Sequence, residues 1–168
     1  PTVDGVPVSG VAKWDGDVWS RLGDGFNDYV LDIGKYRGDI VVTGKFQLPD
    51  PKSGTSRVAR LTPTGWEPLG DGLSSTGSAI TSFEDDLIVA GSFQNSGTLP
   101  VNRIARYDGE SWNSIGSGFN DYVADLIVYN NSLIAGGAFT MSGAVPAKRV
   151  AVWNGSQWAT LGNGFNDG

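Results

Sequence analysis

The chain has 168 residues, a formal net charge of −6 and a sequence pI near 4.4, with no histidine and no cysteine. So acidic a surface repels phosphate backbones and anionic lipid, which argues against nucleic-acid binding and docking on anionic membranes. The missing Cys and His exclude disulfides and a Cys/His zinc site, and no apolar run approaches the roughly 20 residues of a membrane span.

In chain order, the opening PTVDGVPVSG has no basic segment followed by an apolar one, so no signal peptide is expected there. It reads as a loop. VAKWDGDVWSRLGDG (11–25) then gives two short strands around Asp15-Gly16. GFNDYV (25–30) leads into DYVLDIGKYRGDIVVTGKF (28–46), read as two more strands. RVARLTPTGWEPLGDG (57–72) repeats the first pair, with Pro63-Thr64-Gly65 in place of the turn dipeptide. STGSAITSFEDDLIVAGSF (75–93) and RIARYDGESWNSIGSG (103–118) repeat both pairs. GFNDYV returns letter for letter at 118–123, followed by DYVADLIVYNNSLIAGGAF (121–139), RVAVWNGSQWATLGNG (149–164) and a last GFND at 164–167. The Asp-Gly and Asn-Gly dipeptides predict two-residue hairpin turns in which both central residues take positive φ. No segment carries helical periodicity.

Three sets of markers keep one period. Gly25, Gly72, Gly118 and Gly164 step by 47, 46 and 46, and so do Trp19, Trp66, Trp112 and Trp158. The Gly-x-Phe triplets that open on Gly44, Gly91 and Gly137 step by 47 and 46. Each copy reads as four short antiparallel strands, A to D, the size of one β-propeller blade. The expected fold is therefore all-β, a propeller segment of about 3.5 blades of about 46 residues each. The expected divisions of the single segment 1–168 are a half-blade at 9–24 and blades at 28–71, 75–117 and 121–163. A count that is not whole leaves apolar blade faces to cover. The expected partners are other copies of the chain or further repeats of a longer one.

The run IARYDGESWNSIGSGFNDYVADLIVYNNSLIAGGAF resembles kelch-like (galactose-oxidase-like) propeller repeats of secreted bacterial surface proteins and of the fungal cortical cell-polarity marker. The resemblance implies a role in adhesion, recognition or structure. It implies no copper oxidase activity, because those copper ligands include His and Cys, which this chain lacks.

Candidate residues follow from the repeat. Trp19, Trp66, Trp112 and Trp158, with Trp14, Tyr107 and Trp153 five residues earlier, are expected to pack blade on blade, Leu61 being the aliphatic substitute. The competing use of such rings is as sugar-stacking platforms. Asp28 aligns with Asp121, and Asp32 with Asp125. These are expected to cap corners and pair with Arg57, Arg103 or Arg149. Asp24, Asn27 and Asp28 offer oxygens of the kind Ca²⁺ takes, but no calcium-loop motif surrounds them, so no metal is expected. Acids that recur by repeat supply no unique pair for glycoside hydrolysis, and no activated nucleophile is visible. The chain is expected not to be an enzyme and to need no cofactor.

In a propeller the D–A and B–C connections share one face, and the B–C loops 47–56, 94–102 and 140–148 vary most. The alternative is a plain solvated loop; if a ligand, glycan or protein, binds, it is expected on this face, near Asn27, Asp28, Tyr29, Asn120, Asp121 and Tyr122. The triplets that start at Asn130 and Asn154 would be N-glycosylation acceptors in a secreted eukaryotic protein. The sequence thus points to a non-catalytic extracellular or cell-surface scaffold. A lectin-like propeller and a fragment of a larger carbohydrate-active enzyme are the alternatives.

Overall fold

The computed structural model describes residues 2–3, 5–50 and 54–165. Pro51, Lys52 and Ser53 of the first long B–C loop, and Asn166 and Asp167 of the last GFND, lie outside the described residues. Strands β1 (Thr2–Val3) and β2 (Val6–Pro7) pair as a small hairpin, and β3 (Ala12–Trp14) pairs with β4 (Trp19–Arg21). Then β5 (Val30–Tyr36), β6 (Asp39–Asp50), β7 (Gly54–Thr62) and β8 (Gly65–Pro68) form a four-stranded antiparallel sheet in that order. The second such sheet is β9 (Gly77–Phe83), β10 (Asp86–Gly91), β13 (Ile104–Tyr107) and β14 (Trp112–Ser114). Between its middle strands lies a small hairpin, β11 (Asn95–Ser96) and β12 (Leu99–Pro100). The third sheet is β15 (Val123–Tyr129), β16 (Ser132–Gly137), β19 (Val150–Trp153) and β20 (Trp158–Thr160). It carries the hairpin β17 (Met141–Ser142) and β18 (Val145–Pro146) at the same place. Three meandering four-stranded sheets and a two-stranded half make a partial β-propeller.

The sheets lie against one another through their inner strands, β5 beside β9 and β9 beside β15. Apolar layers fill the spaces between consecutive sheets. The middle sheet is covered on both faces. That explains why β10 is apolar and buried from Leu87 to Gly91, whereas β5 alternates between half-buried and exposed as far as Lys35, before the buried Tyr36. Side chains also tie the inner strands together. Asp32 Oδ2 accepts the Ile80 N–H at 2.7 Å, Ser82 donates to the Lys35 carbonyl at 2.7 Å, and Ser78 donates to the Val123 carbonyl at 2.6 Å.

The Gly-x-Phe glycines have a steric cause. Strand A carries a bulge after Val30 and again after Val123, and in the second blade the register shifts at Gly91. The bulge pushes a strand A carbonyl onto strand B. A methyl group on Gly44, Gly91 or Gly137 would collide with the carbonyl of Tyr29, Thr76 or Tyr122. The next residue then donates to that same carbonyl at 2.8 Å in all three blades.

Two expectations about connections are corrected. The Asp-Gly and Asn-Gly dipeptides are not two-residue turns. The ladder pairs Trp14 with Trp19, Tyr107 with Trp112 and Trp153 with Trp158, so four residues separate the strands. Only the glycine takes positive φ: 113° at Gly16, 107° at Gly109 and 95° at Gly155. The preceding Asp or Asn accepts two N–H groups of its own loop instead, as Asp108 does from Glu110 and Ser111 at 2.9 Å each. Among the described residues, the two-residue hairpin turns with both φ positive are Arg37-Gly38 (49° and 92°) and Asn130-Asn131 (47° and 58°). Second, the B–C connections are not plain loops. They hold the hairpins β11–β12 and β17–β18, and in the first blade β6 and β7 extend to pair Leu48 with Ser56.

Candidate functional site

The corner spelled GFNDYV can be read letter by letter. The glycine turns the chain with φ of 81° at Gly25 and 64° at Gly118, and the following N–H closes the corner: Phe26 donates to the Ser9 carbonyl and Phe119 to that of Asn102, each at 2.9 Å. The phenylalanine enters the interblade layer. Phe119 stacks on Phe139 with centroids 4.0 Å apart and lies 4.8 Å from Trp158. Phe26 does the same with Phe46 and Trp66, at 4.2 and 4.9 Å.

The asparagine latches the B–C connection. Asn120 Oδ1 accepts the N–H groups of Thr140 and Met141 at 2.9 Å each, and its amide donates to the Thr140 hydroxyl at 3.0 Å. Asn27 Oδ1 accepts the Gln47 N–H at 2.9 Å. In the middle blade Ser74 holds the same column and accepts from Gln94 and Asn95 at 3.2 and 3.0 Å. The sequence signal for Ser74 was its place 47 residues after Asn27, and it was missed because Ser and Asn do not look alike. The aspartate caps the next residue: Asp28 Oδ1 accepts the Tyr29 N–H and Asp121 Oδ1 the Tyr122 N–H, both at 2.7 Å. Valine starts the inner strand.

Tyrosine is the one letter the frame does not use. Tyr29 is 69% exposed and Tyr122 37% exposed. Tyr29 stands at the rim of a cavity of about 440 Å³ whose walls include Ser9, Phe26, Asn27, Asp28 and Val30, with the Lys45 ammonium 5.8 Å from its ring centroid. The six residues expected to meet a ligand thus fall into two corners, each beside its own B–C connection.

The expected pairing of these aspartates with strand C arginines is not found for Arg57 and Arg103. Arg57 Nη1 donates to the Lys45 carbonyl at 2.7 Å and Arg103 Nη1 to the Phe119 carbonyl at 3.0 Å. Backbone carbonyls of strand B (Lys45) and of the corner (Phe119) face these guanidinium groups, while the carboxylates turn to N–H groups at hand. The ion pairs seen among the described residues lie elsewhere, Arg106–Asp86 at 3.1 Å and Arg60–Asp39 at 3.9 Å. Arg149 donates to the Phe165 carbonyl at 3.4 Å.

The tryptophans join blades. The indole nitrogens of Trp66, Trp112 and Trp158 donate to the carbonyls of Leu22, Leu69 and Ile115 in the preceding repeat, at 3.0, 2.8 and 3.0 Å. Trp158 and Trp112 are buried and Trp66 half-buried, while Trp14 is 47% exposed and packs on Trp19 at 5.4 Å. Burial raises the phenol pKa of Tyr36 and Tyr107. The loop N–H groups of Val18 and Asp17 lower the carboxyl pKa of Asp15, and those of Ser111 and Glu110 lower that of Asp108. Among the described residues, no group of three or more Asp or Glu is placed to hold a metal ion. Asn130 and Asn154 are both exposed, in the A–B and C–D turns of the third blade.

Residues 86–110, which run from β10 through β13, match the family model described as "Domain of unknown function (DUF5122) beta-propeller". A comparison with curated proteins returns no match. The family match supports a propeller and does not support the kelch-like or galactose-oxidase-like identification. Sheet order, repeat and family match agree on a β-propeller that presents these corners.

Proposed function

We propose that the chain is a non-catalytic scaffold that works outside the cell in recognition or assembly. One observation carries this reading: the repeated corner commits its Asn and Asp side chains to backbone and leaves its tyrosine outward. A side chain latched to backbone holds the variable loop still, and a held loop presents its surface at little ordering cost. The carboxylates are engaged by neighbouring N–H groups, which suits capping rather than proton transfer.

A lectin-like role is the second reading. The cavity beside Tyr29 favours it, because an exposed ring next to Asn27 and Asp28 offers a stacking face and polar groups to a sugar. A glycan array, read with the intact chain and with Tyr29→Ala, separates the two. No bound glycan leaves the scaffold reading standing. A saturable signal lost in the variant replaces it with the lectin. Turnover of a chromogenic glycoside, lost in Asp28→Asn, would overturn both.

A further inference from the structure

Consecutive blades also meet at the end of the sheets opposite these corners, where A–B turns face C–D turns. At the first complete junction, Arg37 of one blade reaches the C–D turn of the next. Its Nη2 donates to the Asp108 carbonyl at 2.7 Å, and its guanidinium carbon lies 5.1 Å from the Tyr36 ring centroid. A methyl group on Gly109 would collide with Nη1 of this arginine. The guanidinium therefore fills the notch between the two turns.

At the next junction every position has its counterpart 46 or 47 residues on: Glu84 for Arg37, Phe83 for Tyr36, Trp153 for Tyr107 and Gly155 for Gly109. Here the notch is open. Nothing lies within 4 Å of a methyl group placed on Gly155. A cavity of about 270 Å³ occupies the space, with Ile88 and Ile115 at its buried floor and Glu84 and Trp153 in its walls.

We propose that this notch binds an arginine side chain of a partner polypeptide. The occupied junction shows what the space accepts: a planar cation against an aromatic ring, donating to a C–D turn carbonyl. The open junction offers the same turn and exchanges a resident cation for a carboxylate. Glu84 supplies charge, and Phe83 and Trp153 supply rings for a guanidinium to lie on. The cavity wall also holds a cation, Arg106, with Asp86 beside it, and Arg37 stands near. Arg106 is held by Asp86 at 3.1 Å, and Arg37 by the Asp108 carbonyl. The net charge of −6 favours approach of a basic segment. The site is independent of the tyrosine corners, so it stands whether or not those bind a glycan.

The test is an NMR titration of the whole chain with N-acetyl-arginine N-methylamide, and with its neutral citrulline isostere. The Gly116 and Gly155 amides and the Trp153 indole are expected to shift and saturate, with a Kd on the order of millimolar, as suits one side chain. Citrulline is expected to bind at least about tenfold more weakly. Glu84→Arg should fill the notch from within and abolish the response. Its turn tolerates arginine, since Arg37 has φ 49° where Glu84 has 54°. Arg37→Glu should empty the first notch and add a second response at Gly109. The proposal is overturned by shifts that never saturate, by citrulline matching arginine, by an unchanged titration in Glu84→Arg, or by silence at Gly109 in Arg37→Glu.

Discussion

The indole of Trp112 spans a blade boundary, with its ring buried and its nitrogen 2.8 Å from the Leu69 carbonyl. Replacing it by Phe keeps most of the apolar contact and removes the donor. Trp112→Phe should lower stability in urea unfolding by about 1–2 kcal/mol, the range for one buried hydrogen bond plus a small void. Trp14 is half exposed, and its column already holds Leu61, so Trp14→Leu should change stability by less than about 0.5 kcal/mol. Equal losses at the two sites would remove the blade-joining role. Asp108 offers a pH test. Loop N–H groups hold its ionised form, so its folded pKa lies below the ordinary 3.8. As pH falls, the unfolded chain takes up the proton first. The contribution is complete above the ordinary value and is lost as pH drops through the lowered folded one. The group is fully exposed, so the effect is small. Asn154 makes the same turn in the third blade without ionising. Asp108→Asn should therefore unfold with a shallower decline in midpoint below about pH 4 than the parent chain. Parallel declines would show that the carboxylate does not hold the turn.

Strand B shows how much a single position can decide about an element. A methyl group on Gly91 would meet the Thr76 carbonyl and the Cα of Gly77, both backbone, so neither can swing aside. Gly91→Ala should cost about 3 kcal/mol or more and perturb the β9–β10 register, read by urea unfolding and amide exchange. Gly136, one residue before the matching Gly137, is the control, since the nearest atom to its added methyl is 4.0 Å away. Gly136→Ala should be neutral or gain up to about 0.5 kcal/mol. The sequence made these glycines visible as a period before it made them intelligible. The period, the four strands per copy and the buried tryptophans were legible because each recurs with the same residue types. The small hairpins β11–β12 and β17–β18 were not, because two-residue strands carry no alternation and Gly97 and Gly143 read as loop glycines. The Asp-Gly turns were misread because dipeptide chemistry suggests a two-residue loop, whereas the paired aromatics Tyr107 and Trp112 set a four-residue one. The latching role of Asn27 and Asn120 needed the B–C backbone in place, since a side chain oxygen names no partner.

The whole molecule is asymmetric along the direction in which the blades follow one another. At one end Trp19 has, among the described residues, no carbonyl acceptor for its indole, and Leu31 and Ile33 are exposed on β5. At the other end Leu161 holds the position that Leu22, Leu69 and Ile115 hold in earlier repeats. Among the described residues no indole reaches its carbonyl, and Ile127 and Tyr129 are exposed on β15. Each end exposes groups of the kind that are covered where the blades already meet. On the assembly reading proposed above, each end is covered by the opposite end of a second copy or by further repeats of a longer chain. Such contacts are heterologous, so they can propagate instead of stopping at a two-fold dimer. If copies cover one another, sedimentation velocity should show multiples of the 17.7 kDa mass. Leu31→Glu and Ile127→Glu each place a charge on one end only, and each variant alone should sediment as a monomer. Mixed together they retain one intact pair of ends, and the mixture should give a discrete two-chain species and nothing larger. A two-fold contact predicts otherwise, because a patch meeting its own copy is spoiled in both partners of one variant and survives whole in the other. A parent chain that stays at 17.7 kDa at high concentration would mean that the two ends do not fit each other.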